Sequence, residues 1–224
     1  MLINILGGDG GGKSTQIGHL LRWLADKGVA ARTMAKRDIF DLERFPECDY
    51  FGVPYEHVAH QCLPRMRAEG RALFLYYMNA QLIRGLPPRD DEVVILDGYW
   101  HKHYATEAAL GIDADWLLGM GKVFPEPDLS ILLDIDPREI VRRGHRHRPY
   151  ESGCDPACSD ASFIAHQDKV RGYLQELARA RAYRIVDAAR SEGEVLASLQ
   201  ALVTPALERV RSGEVAGSAL KLVV

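Results

Sequence analysis

The chain has 224 residues, of which 47% are hydrophobic and 26% are charged, and its 28 basic and 31 acidic side chains give a net charge of -3. These values are typical of a soluble globular protein of one domain, and they exclude a broad basic face for nucleic acid or a membrane surface. No apolar run approaches the roughly 20 residues of a membrane span, and the N-terminus lacks the basic segment of a signal peptide. Four cysteines are too few for a disulfide scaffold. We therefore expect a cytoplasmic protein with free thiols.

The hydrophobic pattern predicts short strands that alternate with helices along the chain. The predicted strands cover residues 2–6, 29–34, 93–96, 129–135 and 184–186. The predicted helices cover residues 13–27, 55–67, 71–86, 137–143, 161–182 and 195–210. The helix 71–86 is expected to end at Pro87 and Pro88. This alternation indicates an α/β fold with a doubly wound, mostly parallel five-stranded sheet and helices on both faces.

A polar stretch interrupts the pattern before the long helix. Pro149, Gly153 and Pro156 break it, so the segment reads as a loop. We predict one domain over residues 1–211, in which residues 142–160 form a short lid. Residues 212–224 form a C-terminal tail to which the sequence assigns no role.

A glycine-rich motif follows the first predicted strand. Residues 7–14 read GGDGGGKS and match G-x-x-x-x-G-K-[ST]. The glycines let backbone N–H groups approach phosphates, and the start of the next helix adds the positive end of its dipole. Lys13 supplies a cation to the outer phosphates, and the Ser14 hydroxyl suits Mg2+. The sequence therefore predicts a P-loop NTPase-type sheet that binds ATP and Mg2+. The predicted nucleotide-binding residues are Gly7, Asp9, Gly10, Gly11, Gly12, Lys13, Ser14 and Thr15.

Asp97 ends the apolar run at 93–96 and is the predicted partner of Ser14 at the metal. The end of a strand in an open parallel sheet faces the ligand crevice, where a carboxylate can hold magnesium through water. The alternative is an aspartate that caps a helix. Asp134 and Asp136 are weaker candidates of the same kind, and Asp136 is expected to be a cap because Pro137 follows it.

Basic side chains cluster at the start of the predicted lid. The arginines of this cluster are Arg142, Arg143, Arg146 and Arg148. Arginine donors that close over a phosphoryl group stabilise its transition state, whereas the alternative is a solvated basic face. We predict that the catalytic residues are Lys13, Asp97, Arg142, Arg146 and Arg148.

A zinc site is the competing interpretation of the same region. Its ligands would be His145, His147, Cys154 and Cys158, but their order and spacing are unlike those of usual zinc sites. We interpret the two cysteines as free thiols.

Several motifs, in order along the chain, resemble those of the thymidylate kinase family. The P-loop continues as GGDGGGKSTQ, close to the family's G-x-D-G-x-G-K-[ST]-T-Q. Further segments resemble the family's L-F-x-A-x-R-A-Q helix, D-R-[YH] motif, P-D-L-T-x-x-L-D strand, V-R-x-G-Y-L helix and terminal strand. These segments are residues 74–84, 94–99, 127–134, 166–174 and 186–188. The resemblance extends from residue 1 to about residue 205.

The resemblance implies ATP and magnesium as cofactors, a closing lid and a homodimer. It implies a nucleoside monophosphate such as dTMP as phosphoryl acceptor, and it places Ala188 next to the adenine. The acceptor-side residues that it implies are Asp9, Arg37, Phe74, Asn79, Gln81, Asp97 and Tyr99.

The chain departs from the family on the acceptor side. Gly98 stands where the family has the arginine of D-R-[YH], and Asn79 stands where it has the arginine before Ala-Gln. The family's T-R-E-P-G-G-T is missing, and only Lys36 and Arg37 stand near its arginine. Loss of two arginines removes bidentate donors for phosphate and base.

Three functions are compatible with these observations. The first is a nucleoside monophosphate kinase with thymidylate as the default acceptor. The second is a kinase of the same fold whose acceptor is a modified nucleotide, a nucleoside or another small metabolite. The third is a nucleotide-binding regulator without turnover. The chain lacks the N-K-x-D motif with which GTPase switches read guanine.

Overall fold

The computed structural model describes residues 1–86 and 92–211. The predicted helix stop at Pro87 and Pro88 and the tail at 212–224 lie outside the described residues. None of the helices in the described ranges is long and apolar enough to span a membrane.

All five strands of the sheet are parallel, so the predicted fold class is confirmed. The strand order is β2-β3-β1-β4-β5. The strands are β1 (Leu2–Leu6), β2 (Ala31–Met34), β3 (Val93–Asp97), β4 (Leu129–Asp134) and β5 (Arg184–Asp187). The central strands β1, β3 and β4 are mainly apolar, with Asn4 and Ser130 as buried polar exceptions, because helices cover the sheet on both faces.

Seven longer helices surround the sheet in the described part of the chain. They are α1 (Lys13–Asp26), α2 (Ala68–Arg84), α3 (Tyr99–Ala109), α4 (Ala114–Gly121), α5 (Pro137–Arg142), α6 (Asp160–Ala180) and α7 (Glu192–Arg211). Short helical turns lie at Lys36–Phe40, Pro46–Cys48, Tyr55–His57, Val58–Cys62, Leu63–Arg65 and Tyr150–Ser152. The predicted helix at 55–67 is therefore three short turns, of which the last contains Pro64, a residue that cannot donate a helical hydrogen bond.

The sequence pattern did not predict α3 and α4. Almost every residue of α3 is buried, including the polar His101, His103 and Glu107. The helix therefore lacks the separate polar and apolar faces that mark an amphipathic helix in a sequence. A helix that is buried on all sides loses the periodicity from which helices are predicted.

Successive side chains of each central strand enter two different cores. Leu6 of β1 belongs to the core formed with α2, α3 and α6, whereas Ile5 belongs to the core formed with α1 and α7. This alternation follows from the two-residue period of a strand. It fixes the helices on both faces and leaves the carboxyl ends of the strands free to form a site.

His101 of α3 is a buried link between three parts of the fold. Its ring stacks on Trp100 at 4.0 Å between centroids, and its nitrogens lie 3.0 Å from Asn4 Nδ2 of β1 and 2.9 Å from Tyr183 Oη. Burial, with the charge of Arg181, lowers the pKa of His101 from 6.5 to about 3. The histidine is therefore neutral in the folded chain at neutral pH.

This depressed pKa predicts acid destabilisation. The unfolded chain takes up a proton near the ordinary pKa of 6.5 while folded His101 does not. Its stabilising contribution is complete above pH 6.5 and falls by up to about 1.4 kcal/mol per pH unit below it, until the folded pKa is reached. Burial also lowers the pKa of His166 to about 4, which adds to the same trend. Urea denaturation between pH 7.5 and 4.5 should show a falling free energy of unfolding.

Two histidine variants test whether His101 causes the pH dependence of the free energy of unfolding. His101→Gln should flatten the pH dependence below pH 6.5, whereas His57→Gln, at an exposed position, should keep the slope of the wild type. Equal slopes in His101→Gln and wild type would contradict the assignment.

Candidate functional site

A cavity of about 500 Å3 opens at the carboxyl edge of the sheet. The P-loop (residues 7–14) follows β1, and Asp97 ends β3, so the parallel strands bring both to this edge. Many of the predicted site residues line the cavity. They are Asp9, Gly10, Gly11, Gly12, Lys13, Ser14, Thr15, Arg37, Asn79, Asp97, Tyr99 and Arg148.

Lys13 lies folded back on the P-loop. Its Nζ donates to the carbonyl oxygens of Gly7 at 3.0 Å and Gly8 at 2.7 Å. Burial, and next the charge of Lys102, lower the pKa of Lys13 to about 8, and the nearby Asp9 and Asp97 oppose this shift. A cation held in this way has unsatisfied charge, and an anion bound on the loop would stabilise it.

Ser14 and Asp97 face each other across the cavity floor. The Ser14 hydroxyl donates to Asp97 Oδ2 at 3.4 Å. A hydroxyl and a carboxylate at this spacing are hard oxygen donors, and Mg2+ with bound phosphates commonly needs only one or two such ligands from a protein. The two side chains therefore fit the predicted magnesium site.

Asp9 is held by residues that sequence reasoning missed. Lys102 of α3 forms an ion pair with Asp9 Oδ1. Gln167 Oε1 of α6 accepts from the Asp9 backbone N–H at 3.2 Å. Burial would raise the pKa of Asp9, but Lys102, Lys13 and Lys36 together hold it below its usual range. Asp9 is therefore an anion among lysines.

The P-loop is packed under the segment at 142–160. Gly10 has φ +73°, and a Cβ there would lie 2.6 Å from Ile140 Cγ2 and 2.8 Å from His145 Cγ. Only glycine fits at this point, because any side chain would collide with both. His145 Nε2 lies 3.1 Å from Glu151 Oε2, which keeps the ring in place above the loop.

The arginines at 142–148 differ in where their side chains lie. Arg148 lines the cavity and contacts the His60 ring. Arg142 is 74% exposed and pairs with Glu139 at 2.6 Å, and Arg146 is exposed and does not line the cavity. Arg143 donates to the backbone oxygens of Ala188 at 3.3 Å and Ala189 at 2.9 Å. The side chains of Arg142 and Arg146 do not line the cavity, so their catalytic roles stay predictions.

The acceptor-side candidates are also only partly assembled. Asn79 lines the cavity, but its Nδ2 donates to Leu75 O of its own helix at 2.8 Å. Tyr99 lines the cavity and donates through its hydroxyl to Pro125 O at 3.4 Å. Phe74 packs on Phe51 at 5.9 Å between ring centroids. Phe74 and Gln81 are absent from the cavity lining, so their proposed contacts with an acceptor stay predictions.

The weaker aspartate candidates have other partners. Asp134 accepts from Arg171 at 2.7 and 2.8 Å and from Gln175 at 3.0 Å. Asp136 accepts from the Arg138 backbone N–H at 2.7 Å at the start of α5, which confirms its prediction as a cap.

The cysteines and histidines of the zinc alternative are dispersed. His147 Nε2 lies 2.8 Å from Asp160 Oδ1, and Cys154 Sγ accepts from Arg71 at 3.5 Å. All four cysteines are free thiols, as predicted. Over residues 1–86 and 92–211, no three His, Cys, Asp or Glu side chains are grouped to hold a metal.

A buried ion pair anchors the segment at 142–160 to the helices beneath it. Arg71 Nε of α2 donates to both carboxylate oxygens of Glu107 of α3, at 2.9 and 3.1 Å, and Glu107 is 0% exposed. The Tyr150 hydroxyl donates to Glu107 Oε1 at 2.7 Å. The carboxylate thus joins α2, α3 and the segment above the cavity.

Removal of the Glu107 charge should destabilise the fold strongly. Glu107→Gln leaves the Arg71 cation buried without a counter-ion, which costs about 3–5 kcal/mol in the free energy of unfolding. Tyr150→Phe removes one hydrogen bond to a charged group, about 1.5–3 kcal/mol. Chemical denaturation measures both. Glu176→Gln, at an exposed residue of α6, should stay within about 0.5 kcal/mol of wild type. A Glu107→Gln variant as stable as this control would refute the anchoring role.

Comparison with known proteins identifies archaeal relatives, although no protein-family model matches the chain. It is 30% identical over 123 residues to a probable thymidylate kinase of Pyrobaculum calidifontis, a match that covers 55% of this chain and 60% of that protein. It is 31% identical to one of Sulfolobus acidocaldarius, covering 51% of this chain and 56% of the relative.

A longer match joins the chain to a probable thymidylate kinase of Pyrococcus abyssi. The two are 29% identical over 202 residues, which is 87% of this chain and 91% of that protein. The chain thus spans little more than half the length of the first two relatives and about nine-tenths of the third. These matches, the P-loop and the parallel sheet agree with one another, and they show that the chain is similar to probable thymidylate kinases of archaea.

Proposed function

We propose that the chain transfers the γ-phosphoryl group of ATP to a nucleoside monophosphate, with dTMP as the first acceptor to test. The observation that carries the proposal is one cavity in which the P-loop and the Ser14–Asp97 pair lie opposite Lys36, Arg37 and Asn79. The names of the relatives, probable thymidylate kinases, support the same acceptor class.

The nucleotide side of the cavity has the groups that ATP and Mg2+ need. The backbone N–H groups of residues 10–14 and the Lys13 ammonium would hold the phosphates, and Ser14 with Asp97 would hold the metal. ATP, when bound, supplies the phosphoryl group. The family resemblance would place Ala188 next to the adenine; Ala188 does not line the cavity, and its carbonyl oxygen accepts from Arg143.

The protein contributes position and charge rather than covalent chemistry. Lys13 neutralises the outer phosphates, and Arg148 supplies a cation from the lid to the transferring group. The acceptor enters beside Asp97 and Arg37. A phosphate acceptor needs no strong base, whereas a hydroxyl acceptor would need one, and Asp97 is the candidate. Closure of residues 142–160 excludes water and thereby limits hydrolysis.

Resemblance to the family supports further parts of the proposal. Residues 1–211 form a single kinase domain, and residues 142–160 form its lid. The protein works in the cytoplasm as a homodimer, and its acceptor is a small molecule rather than a nucleic acid or a membrane.

ATP consumption with a panel of nucleoside monophosphates and free nucleosides tests the proposal. A monophosphate, with dTMP first, should be the best acceptor. Turnover on none of the monophosphates would refute the proposed function. Turnover on a nucleoside alone would show that the acceptor is a nucleoside and not a nucleoside monophosphate.

Lys13→Ala should abolish turnover while the protein stays folded. The side chain supplies the cation that the phosphates need, and its removal leaves the P-loop backbone intact. Steady-state kinetics and a thermal melt measure the two effects. Lys27→Ala, at the exposed other end of α1, is the matched control and should retain activity. Near wild-type activity in Lys13→Ala would refute the P-loop assignment.

Arg148→Ala should lower kcat on the order of 10^3-fold with a smaller effect on the KM for ATP, because a lid arginine acts mainly in the transition state. Arg142→Ala and Arg146→Ala should have smaller effects, since neither side chain lines the cavity. An unchanged kcat in Arg148→Ala, together with a large loss in either of the others, would move the role to that arginine.

A further inference from the structure

Lysine side chains surround Asp9 on the acceptor side of the cavity. Among the described residues that line the cavity, five are lysine or arginine and three are aspartate or glutamate, so the wall has a positive balance that suits an anion in addition to ATP. Lys102 forms the ion pair with Asp9, and its side chain is only 18% exposed. Lys36 lies nearby on the short turn after β2.

Gly98 makes room for the Lys102 side chain. Lys102 begins the second turn of α3, and its backbone N–H donates to Gly98 O at 3.0 Å. A Cβ on residue 98 would lie 3.3 Å from both Cβ and Cδ of Lys102, which is tighter than ordinary contact. Gly98 also has φ +82°, a conformation that favours glycine. An arginine at residue 98 would therefore compete with Lys102 for the same space.

The lysines remain partly uncompensated in this arrangement. Burial, and next the charge of Lys102, lower the pKa of Lys36 to about 8. Asp9 balances Lys102, and its ion pair outweighs burial so that the pKa of Lys102 is raised. A further anion placed between Lys102 and Lys36 would stabilise the charged form of both ammonium groups.

We propose that Lys102, together with Lys36, binds the phosphate of the acceptor. The two lysines would take the place of the arginine that the family has at the position of Gly98. Asp9 holds Lys102 over the P-loop until the acceptor arrives. The inference rests on the proposed function for the class of acceptor, a nucleoside monophosphate. A lysine is a point charge and does not form the bidentate contact of an arginine, so the acceptor phosphate is held by two separate ammonium groups.

Paired titrations of monophosphate and nucleoside isolate the phosphate contact. Isothermal titration calorimetry would compare each common nucleoside monophosphate with its own nucleoside, in the presence of a non-hydrolysable ATP analogue and Mg2+. The wild type should bind its best monophosphate about 10- to 100-fold more tightly than the matching nucleoside, the range expected for charge-assisted hydrogen bonds. Lys102→Met should lose most of this ratio and keep its affinity for the nucleoside.

Three further variants control the experiment. Lys122→Met, at an exposed lysine outside the cavity, should keep the ratio of the wild type. Lys102→Arg preserves the ion pair with Asp9 and should retain more of the ratio than Lys102→Met. Because Lys102→Met leaves Asp9 without its partner and can weaken the fold, Lys36→Met is the second test and should lower the ratio without breaking that pair.

The titrations and the turnover assay separate this inference from the proposed function. If the ratio depends on Lys102 and Lys36 but no monophosphate is phosphorylated, the phosphate site stands and the proposed function falls. If monophosphates are phosphorylated and the ratio is unchanged in Lys102→Met and Lys36→Met, the function stands and the inference is overturned. A wild type that binds monophosphate and nucleoside equally, or binds neither, also overturns it.

Discussion

The register between β1 and β3 decides where the charged groups of this protein lie. Ile5 of β1 pairs with Asp97 of β3, and the Gly98 N–H donates to Ile5 O at 2.9 Å. The P-loop and the start of α3 therefore leave the sheet side by side. A slip of one residue would turn Asp97 to the other face of the sheet and separate it from Ser14. The proposed metal ligands, the P-loop and Lys102 of α3 all depend on this one alignment.

The charged side chains at this edge of the sheet leave a positive excess that an anion could neutralise. Within the described ranges, the hydrogen bonds of the Lys13 ammonium go to two backbone carbonyls, and the charge of Asp9 interacts with Lys102, Lys13 and Lys36. In a partly buried site, each cation without a counter-ion raises the electrostatic free energy of the protein. A polyphosphate bound at the proposed site would relieve this cost. The buried Glu107 beneath it keeps the covering segment in place while the balance changes.

The sequence predicted those parts of the site that are local in the chain. The P-loop is a contiguous motif, and Asp97 was found because a buried strand ends there. The five parallel strands followed from short apolar runs between helices. Helix α3 was not predicted because its polar residues are buried. The role of Lys102 was therefore not predicted either, since its ion pair with Asp9 joins positions that are far apart in the chain. The place of the lid arginines also depended on tertiary packing, which no spacing in the sequence encodes.

The close contact between Gly98 and Lys102 makes the side chains that these two positions can accept depend on each other. At φ +82° an arginine at position 98 would adopt a backbone conformation that costs an L-residue about 1–2 kcal/mol, and it would meet the lysine stem as well. The lysine in turn is positioned by a helix start that glycine permits. A larger side chain at position 98 would require the Lys102 stem to move, and that movement would disturb the ion pair with Asp9. Replacement of Gly98 alone is therefore disfavoured for as long as Lys102 keeps its pairing with Asp9.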